Sequence, residues 1–371
     1  MFLAILAVIV VLVAGYLALA PTGRYVTRAA WEEGKILWRR RSIDGMVADS
    51  ATPEAVRAKL RLVLDARAYA ADALGLTVKK SFTTFSRLEH DTLVLVLSAA
   101  YRDRLDNYTW WFPVVGRVPY KGYFDYAAGQ SAERAFQRRG FDTYLRPASA
   151  FSTLGWFNDP LVSTTLRADT LSLANTVIHE LTHNTFYASG QAEFNESFAN
   201  FVGARGSADF FRDRGQPGAV EEAEARWSDE KIMARFWKQL NDDIKAGFAA
   251  HPGRDASAVK MRLAVRDSIY RAARQQLVFR IGPQLRTIAP RYTERVRLDN
   301  AALLARRIYL TDLDMFDAVW VREGRNTRAT IERVIAVARS QPKDPYAALR
   351  RFIAGAGTGI AAPGTGKTAA Q

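Results

Sequence analysis

The pattern of apolar and polar positions divides the chain into a region of short strands followed by a long helical region. From 77 to 160, apolar residues alternate with polar ones or form short buried runs, as in strands. One helix, 125–139, interrupts this region and is predicted to end at Gly140. From 161 to 354, apolar residues recur at helical spacing. The pattern predicts an α+β fold that is mostly α, with one domain over 23–354.

The strands are predicted from five segments, with a helical stretch before them. The segments with alternating or continuous apolar residues are 78–85, 91–99, 110–118, 141–146 and 150–156. Gly116 falls inside the third segment and predicts a bend there. The helical stretch covers about 29–76, and Pro53 stands at the first turn of its second helix. We therefore expect a small sheet that precedes the helical part.

The N-terminal run Phe2–Ala20 carries no charge and is long enough to cross a bilayer as a helix. We predict that 1–22 is a transmembrane anchor or a signal segment. Ala18-Leu19-Ala20 resembles a cleavage site, but Pro21 follows it directly and no basic residues precede the run, which favours a retained anchor. The basic residues after the run, Arg39-Arg40-Arg41 among them, would place the following domain in the cytoplasm.

The formal net charge of +14 is spread along the chain, and no nucleic-acid motif accompanies it. We expect no nucleic-acid partner, and an Arg-rich surface that suits a nearby anionic membrane. The tail 355–371 is rich in Gly, Ala and Thr and is predicted to be disordered. Within it, Gly366-Lys367-Thr368 nearly completes a phosphate-binding loop. Such a loop needs a following helix, for which no room remains, so we expect no nucleotide.

The stretch that carries chemistry is Val177–His183, which contains the pattern H-E-x-x-H. Because residues four apart lie on one face of a helix, His179 and His183 can point at one metal ion. Glu180 lies beside them, where its carboxylate can act as the general base on a water molecule. The chain has only four histidines, and this motif contains two of them. Catalytic zinc needs a third protein ligand and one open position.

The candidate for the third ligand is Glu196, on a second helix that is predicted to begin near Asn195. Ala199 and Gly203 share the face of Glu196, and their small size would let this helix approach the histidine helix closely. Glu193 is the alternative ligand, but it falls in the predicted connection between the helices, where its direction is less determined.

The wider motif resembles one class of zinc peptidase and excludes another. A metzincin is excluded, because Phe186 and Ser189 stand where its Gly and its third His would be. The histidine motif followed by Asn195-Glu196-x-x-Ala199 resembles the gluzincins, the thermolysin-like superfamily. More closely, the chain from about Trp31 to the Tyr309 region resembles a family of predicted bacterial zinc aminopeptidases. Its other matching stretches are Phe112-Pro113-x-x-Gly116, Tyr120-Lys121-Gly122-Tyr123-Phe124 and Ser152-Thr153-Leu154-Gly155-Trp156-Phe157-Asn158-Asp159-Pro160.

The resemblance implies a zincin-like fold, one Zn²⁺ ion as the cofactor and peptides as substrates. His179, His183 and Glu196 would be the metal ligands, and Glu180 would be the catalytic base. It also implies a bacterial, inner-membrane anchored enzyme whose domain is periplasmic, which disagrees with the charge rule above. Many relatives carry a lipid-modified Cys after the signal segment, whereas this chain has no Cys and cannot be anchored in that way.

Two further sets of residues are predicted to serve the substrate. In gluzincin aminopeptidases a strand at the cleft edge binds the substrate backbone, and the resemblance puts Gly155 and Trp156 there. Gly155 would let a peptide backbone come close, and Asn158 or Asp159 could hold the free amine. The alternative is that Asn158-Asp159-Pro160 is only a turn that caps the following helix.

A peptidase also needs a hydrogen-bond donor for the negative charge that develops on the carbonyl oxygen. Tyr123 and Tyr309 are the candidates, and Tyr120, Tyr292 and His251 are further possibilities. For each tyrosine the alternative is a packed aromatic ring whose hydroxyl is hydrogen-bonded.

The sequence therefore predicts a zinc metallopeptidase of gluzincin type that hydrolyses N-terminal peptide bonds. Two alternatives stay open. One is a membrane-tethered zinc endopeptidase, and the other is a zincin fold that has lost catalysis and serves as a binding module. The presence of Glu180 argues against the second alternative, because metal binding alone does not require it.

Overall fold

The fold was analysed in a computed structural model, which covers most of the chain. It describes residues 2, 5–6, 15–16, 18–88, 94–112, 116–148, 160–308 and 311–355. More than half of the predicted anchor 1–22, all of the predicted strand 150–156 and nearly all of the predicted disordered tail lie outside these ranges. Within them, none of the helices combines the length and the apolar character that a membrane crossing requires.

The N-terminal part is mainly helical, as predicted for this stretch. Its elements are α1 (Pro21–Trp38), β1 (Arg41–Ser42), α2 (Ile43–Ala48), α3 (Glu54–Asp72) and β2 (Thr84–Ser86). Strand β2 covers only 84–86. The predicted strand 78–85 is therefore wrong for residues 78–83. The reason is local: Lys79 and Phe82 have φ of 44° and 59°, in the left-handed region, which interrupts an extended strand.

The small sheets come next, in the predicted place. Their elements are β3 (Val94–Ala100), β4 (Trp110–Phe112), β5 (Gly116–Val118), β6 (Tyr120–Tyr123), α4 (Tyr126–Arg138), β7 (Asp142–Ala148) and β8 (Leu161–Val162). β3 lies between β6 and β7 in an antiparallel sheet, with Leu97 opposite both Lys121 and Leu145. The predicted strand 110–118 is two strands, β4 and β5, and Gly116 at their junction has φ of 79°, which confirms the predicted bend.

The helical part follows the sheets and shares the largest buried cluster with α2 and α3. Its helices are α5 (Thr170–Thr185), α6 (Ala192–Asp213), α7 (Pro217–Ala249), α8 (Ala256–Gln276), α9 (Pro290–Arg295), α10 (Asn300–Arg307), α11 (Leu313–Arg322), α12 (Thr327–Ser340) and α13 (Pro345–Ile353). The predicted class, mostly α with small sheets, is confirmed for the described residues.

A buried polar network joins the sheet to the helical part. Asn300, at the start of α10, accepts a hydrogen bond from the Tyr270 hydroxyl at 2.7 Å and donates its backbone N–H to Asp142 at 3.0 Å. Arg266 of α8 forms an ion pair with the same Asp142, at the first residue of β7. Buried hydrogen bonds and ion pairs of this kind favour one arrangement of the sheet and the helices that they join.

An aromatic stripe fixes the rotation of α6 in the core. Phe194, Phe198 and Phe201 each lie 5.7 to 5.8 Å from the Phe316 ring of α11, measured between ring centroids. At about 100° per residue, Glu196 lies about 200° around the helix from Phe194. Burial of the stripe against α11 therefore directs Glu196 to the opposite face of α6.

The opposite face of α6 meets α5 at two glycines. A Cβ atom on Gly203 would lie 3.0 Å from Asn175 Oδ1, 3.1 Å from the Asn175 carbonyl oxygen and 3.2 Å from His179 Cβ. A Cβ atom on Gly206 would lie 2.7 Å from a methyl group of Leu74 and 3.0 Å from one of Ile178. The two helices can keep this separation only because these positions carry no side chain, and the predicted close approach at Gly203 is confirmed.

We expect Gly203→Ala to destabilise the protein by about 1–3 kcal/mol, because the added methyl group meets backbone as well as side-chain atoms of α5. The matched control is Gly218→Ala in α7, where a Cβ atom would meet no atom within 4 Å. This control should be neutral or stabilise the helix by up to about 1 kcal/mol. Denaturant unfolding of both variants measures the difference, and equal stabilities would refute the role given to Gly203.

Candidate metal centre

Helix α5 buries one face in the core, and the adjacent face carries the H-E-x-x-H motif. Asp169 caps its start by accepting a hydrogen bond from the Ser172 N–H at 2.8 Å. Leu173, Val177 and Leu181 have no accessible surface and hold the apolar face in the core. His179, Glu180 and His183 are all partly accessible, so the motif is not sealed in the core.

The start of α6 is tied to the preceding connection by Asn195. The buried Asn195 amide accepts a hydrogen bond from the Ala188 N–H and donates one to the Ala188 carbonyl, each at 2.8 Å. The two bonds fix the first turn of α6 against the chain that leaves α5. Glu196, the next residue, is thereby held in place.

The structure brings His179, His183 and Glu196 together, as predicted, and these three residues could hold a metal ion. The Nε2 atoms of the two histidines are 3.3 Å apart. The Glu196 carboxylate oxygens lie 3.5 Å from His179 Nε2 and 3.7 Å from His183 Nε2. In a tetrahedral zinc site with bonds of about 2.0–2.1 Å, ligand atoms are about 3.3–3.4 Å apart. The spacing and the donor set therefore fit one zinc ion with two imidazoles and one carboxylate.

The same three groups perturb each other's protonation. Burial acts to raise the pKa of Glu196, but the hydrogen bonds and charges of His179 and His183 outweigh it and lower the pKa to about 2. Burial acts to lower the pKa of His183, while the carboxylates of Glu196 and Glu180 raise it above its usual value. Glu196 is therefore ionised at neutral pH, as a metal ligand must be.

Glu193, the alternative third ligand, is not part of the cluster. It lies in the first turn of α6 and not in the connection, because this helix begins at Ala192, earlier than predicted. Its carboxylate forms an ion pair with Arg307 at 2.7 Å. The geometry thus selects Glu196 over Glu193.

The family model described as "Putative aminopeptidase" matches residues 24–349. The chain belongs to this family. No curated protein and no solved structure matches it. Membership of the putative aminopeptidase family suggests peptidase activity, and the matched range includes both helices of the candidate metal centre.

The other predicted site residues of this putative aminopeptidase fall in two groups. Gly155, Trp156, Asn158, Asp159 and Tyr309 lie outside the described residues. Tyr123 is described, and its ring packs in the cluster formed by Leu97, Ala99 and Phe136 between the sheet and α4. Burial, with a smaller contribution from Tyr25, raises the pKa of the Tyr123 hydroxyl to about 12.

We expect Glu196→Gln to weaken zinc binding by at least about 100-fold, because loss of a residue that only supports a ligand already costs 10–100-fold. The matched control is Glu193→Gln, three residues earlier on the same helix, which removes a partly buried ion pair with Arg307 and should leave zinc affinity within a few-fold. Competition with a chromophoric chelator measures both affinities. Equal affinities of the two variants would remove Glu196 from the ligand set.

Proposed function

We propose that this protein is a zinc-dependent aminopeptidase of gluzincin type, which releases the N-terminal residue of peptides. The observation that carries the proposal is the spacing of the three donor groups His179, His183 and Glu196, which fits one tetrahedral ion. Glu180 lies on the same helix beside the first histidine, and the chain belongs to the putative aminopeptidase family. Three protein ligands leave the fourth position of such an ion for water or substrate.

The zinc ion and the side chains of the protein have different roles in the proposed hydrolysis. A bound zinc ion supplies a Lewis acid that polarises the scissile carbonyl and lowers the pKa of water. Glu180 accepts the proton of the attacking water and passes it to the departing amine. His179, His183 and Glu196 are held by α5 and α6, so their positions do not have to be organised when the substrate arrives.

Two supporting roles belong to the same proposal. Tyr123 or Tyr309 donates a hydrogen bond to the carbonyl oxygen as its negative charge develops. The raised pKa of Tyr123 suits a donor, because its hydroxyl stays protonated at neutral pH. Gly155 and Trp156 bind the substrate backbone, while Asn158 or Asp159 contacts the free amine.

We place the enzyme at the inner membrane of a bacterium, with its domain on the periplasmic side. The apolar run Phe2–Ala20 is the proposed anchor, and the family match begins just after it. In α1, the rings of Trp31 and Trp38 are 65% and 91% exposed beside basic residues. Exposed tryptophans next to basic side chains suit a membrane interface.

The test uses the zinc-loaded protein and peptides with a free or an acetylated N-terminus. We expect the wild type to release N-terminal residues from the free peptides only, because an aminopeptidase recognises the free amine. Glu180→Gln should lose about 100-fold or more of the rate, the usual contribution of a general base, while it keeps stoichiometric zinc.

Three results would decide against the proposal. Cleavage of acetylated peptides at internal bonds would identify an endopeptidase. Normal rates in Glu180→Gln would refute the assigned mechanism. No cleavage of any peptide by the zinc-loaded wild type would leave the binding-module alternative.

A further inference from the structure

A second feature of the helical part is a cavity of about 350 Å³ beside the metal centre, lined by residues of α6, α7, α10 and β7. Asn200, one of its lining residues, follows Glu196 by one turn of α6, which is about 6 Å along the helix axis. A volume of this size is at the small end of ligand sites and suits one amino-acid residue better than an extended peptide.

One end of the cavity carries unpaired positive charge. The Arg306 guanidinium lies among three aromatic rings, with its Cζ 5.2 Å from the centroid of Trp237, 5.6 Å from Tyr292 and 5.9 Å from Tyr144. Its buried Nε has no hydrogen-bond partner. Arg146, on β7, lines the same cavity. Within the described residues, neither arginine forms an ion pair with a carboxylate.

Another wall carries a carboxyl group that also lacks a partner. Glu230 of α7 lines this cavity and a smaller one of about 220 Å³, which Asn175 also lines, one turn before His179. The described part of the chain offers Glu230 no hydrogen bond or ion pair. Burial raises the pKa of Glu230 to about 7, with the Arg226 charge opposing the rise and the Asp229 charge adding to it.

Unpaired charges in an enclosed space are costly, so they are rarely kept without a partner. The neighbouring carboxylate is satisfied, because Asp229 accepts hydrogen bonds from the backbone N–H groups of 286–288. The partners of Glu230, Arg146 and Arg306 would therefore come from a ligand that carries one cation and one anion. Clusters of this kind beside a catalytic centre are typical of substrate sites.

We propose that the cavity holds the N-terminal residue of the substrate and selects a glutamyl or aspartyl residue. In this arrangement Glu230 binds the free α-ammonium group, and the guanidinium groups of Arg146 and Arg306 bind the side-chain carboxylate. The assignment rests on the proposed aminopeptidase function and names its substrate class. It gives Glu230 a share of the amine binding for which Asn158 and Asp159 were considered.

The charges explain why other N-terminal residues would be disfavoured. A neutral side chain would enter the cavity and leave Arg306 with only its ring contacts and a 3.5 Å hydrogen bond to the Tyr144 hydroxyl, so its charge would remain without an anion. A basic side chain would meet two guanidinium groups and be repelled. Specificity would thus come from a repulsive element as well as an attractive one.

The experiment measures binding to the zinc-loaded Glu180→Gln variant, so that hydrolysis does not consume the probe. The probes are glutamyl-alaninamide, its neutral isostere glutaminyl-alaninamide, and acetylated glutamyl-alaninamide, whose amide C-termini offer the arginines no second carboxylate. We expect calorimetry to show that the glutamyl probe binds about 10- to 100-fold more tightly than the glutaminyl probe, as for a charged hydrogen-bonded pair. Acetylation should cost about 10-fold or more.

Further substitutions in the Glu180→Gln protein show which residues cause the preference for the glutamyl probe. Arg146→Gln and Arg306→Gln should each lower the affinity for the glutamyl probe and leave the glutaminyl probe unchanged. Arg306 also packs against three rings, so Arg146→Gln keeps the test valid if Arg306→Gln does not fold. Glu230→Gln should remove the penalty of acetylation. The matched control is Arg295→Gln, an exposed arginine of α9 outside the cavity, which should change neither affinity.

Equal affinity for the glutamyl and glutaminyl probes would overturn this inference, even if the wild type proves to be an aminopeptidase of broad specificity. Selective binding that Arg146→Gln and Arg295→Gln reduce equally would also overturn it. Selective binding that behaves as expected, in a protein whose wild type hydrolyses neither probe, would support the cavity assignment and refute the proposed function instead.

Discussion

The metal centre depends on how closely two helices approach each other. Helix α5 supplies both imidazoles and α6 supplies the carboxylate, so the distance between α5 and α6 sets whether Glu196 reaches the two histidines. That distance is possible because Gly203 presents no side chain to Asn175 and His179. The direction of Glu196 is set from the other side of α6, where three phenylalanines pack against Phe316. The packing of α6 in the core therefore also determines the position of the Glu196 ligand.

The parts of the site that the sequence predicted are those that one helix, or two helices joined by a short connection, determine. The spacing of His179 and His183 implies a shared face for any regular helix, and the structure places their Nε2 atoms 3.3 Å apart. Glu196 and Gly203 were also predicted, because a short connection and small residues limit how a second helix can pack. Glu193 shows where this reasoning is weaker, since only its contact with Arg307, a residue distant in the sequence, decides its role.

The features that were missed depend on distant contacts or on backbone conformation. The segment 78–85 alternates as a strand would, but left-handed residues at Lys79 and Phe82 break the extended chain. The cavity beside the centre combines Arg146, Glu230 and Arg306 from three separate elements, and no local pattern in the sequence relates them. From the sequence alone, a charged residue is expected to lie at the surface in water. Only the tertiary structure shows that it lines a cavity and has no ion-pair partner. Tertiary structure was needed to find these residues.

The central claim is that two imidazoles and one carboxylate surround a single zinc ion with one position open. Zinc-edge X-ray absorption of the purified, zinc-loaded protein tests it most directly. The account predicts four or five nitrogen and oxygen neighbours at about 2.0–2.2 Å, with the outer-shell scattering of two imidazole rings. A spectrum without imidazole scattering, or one that shows six oxygen neighbours as for a loosely held surface ion, would contradict it.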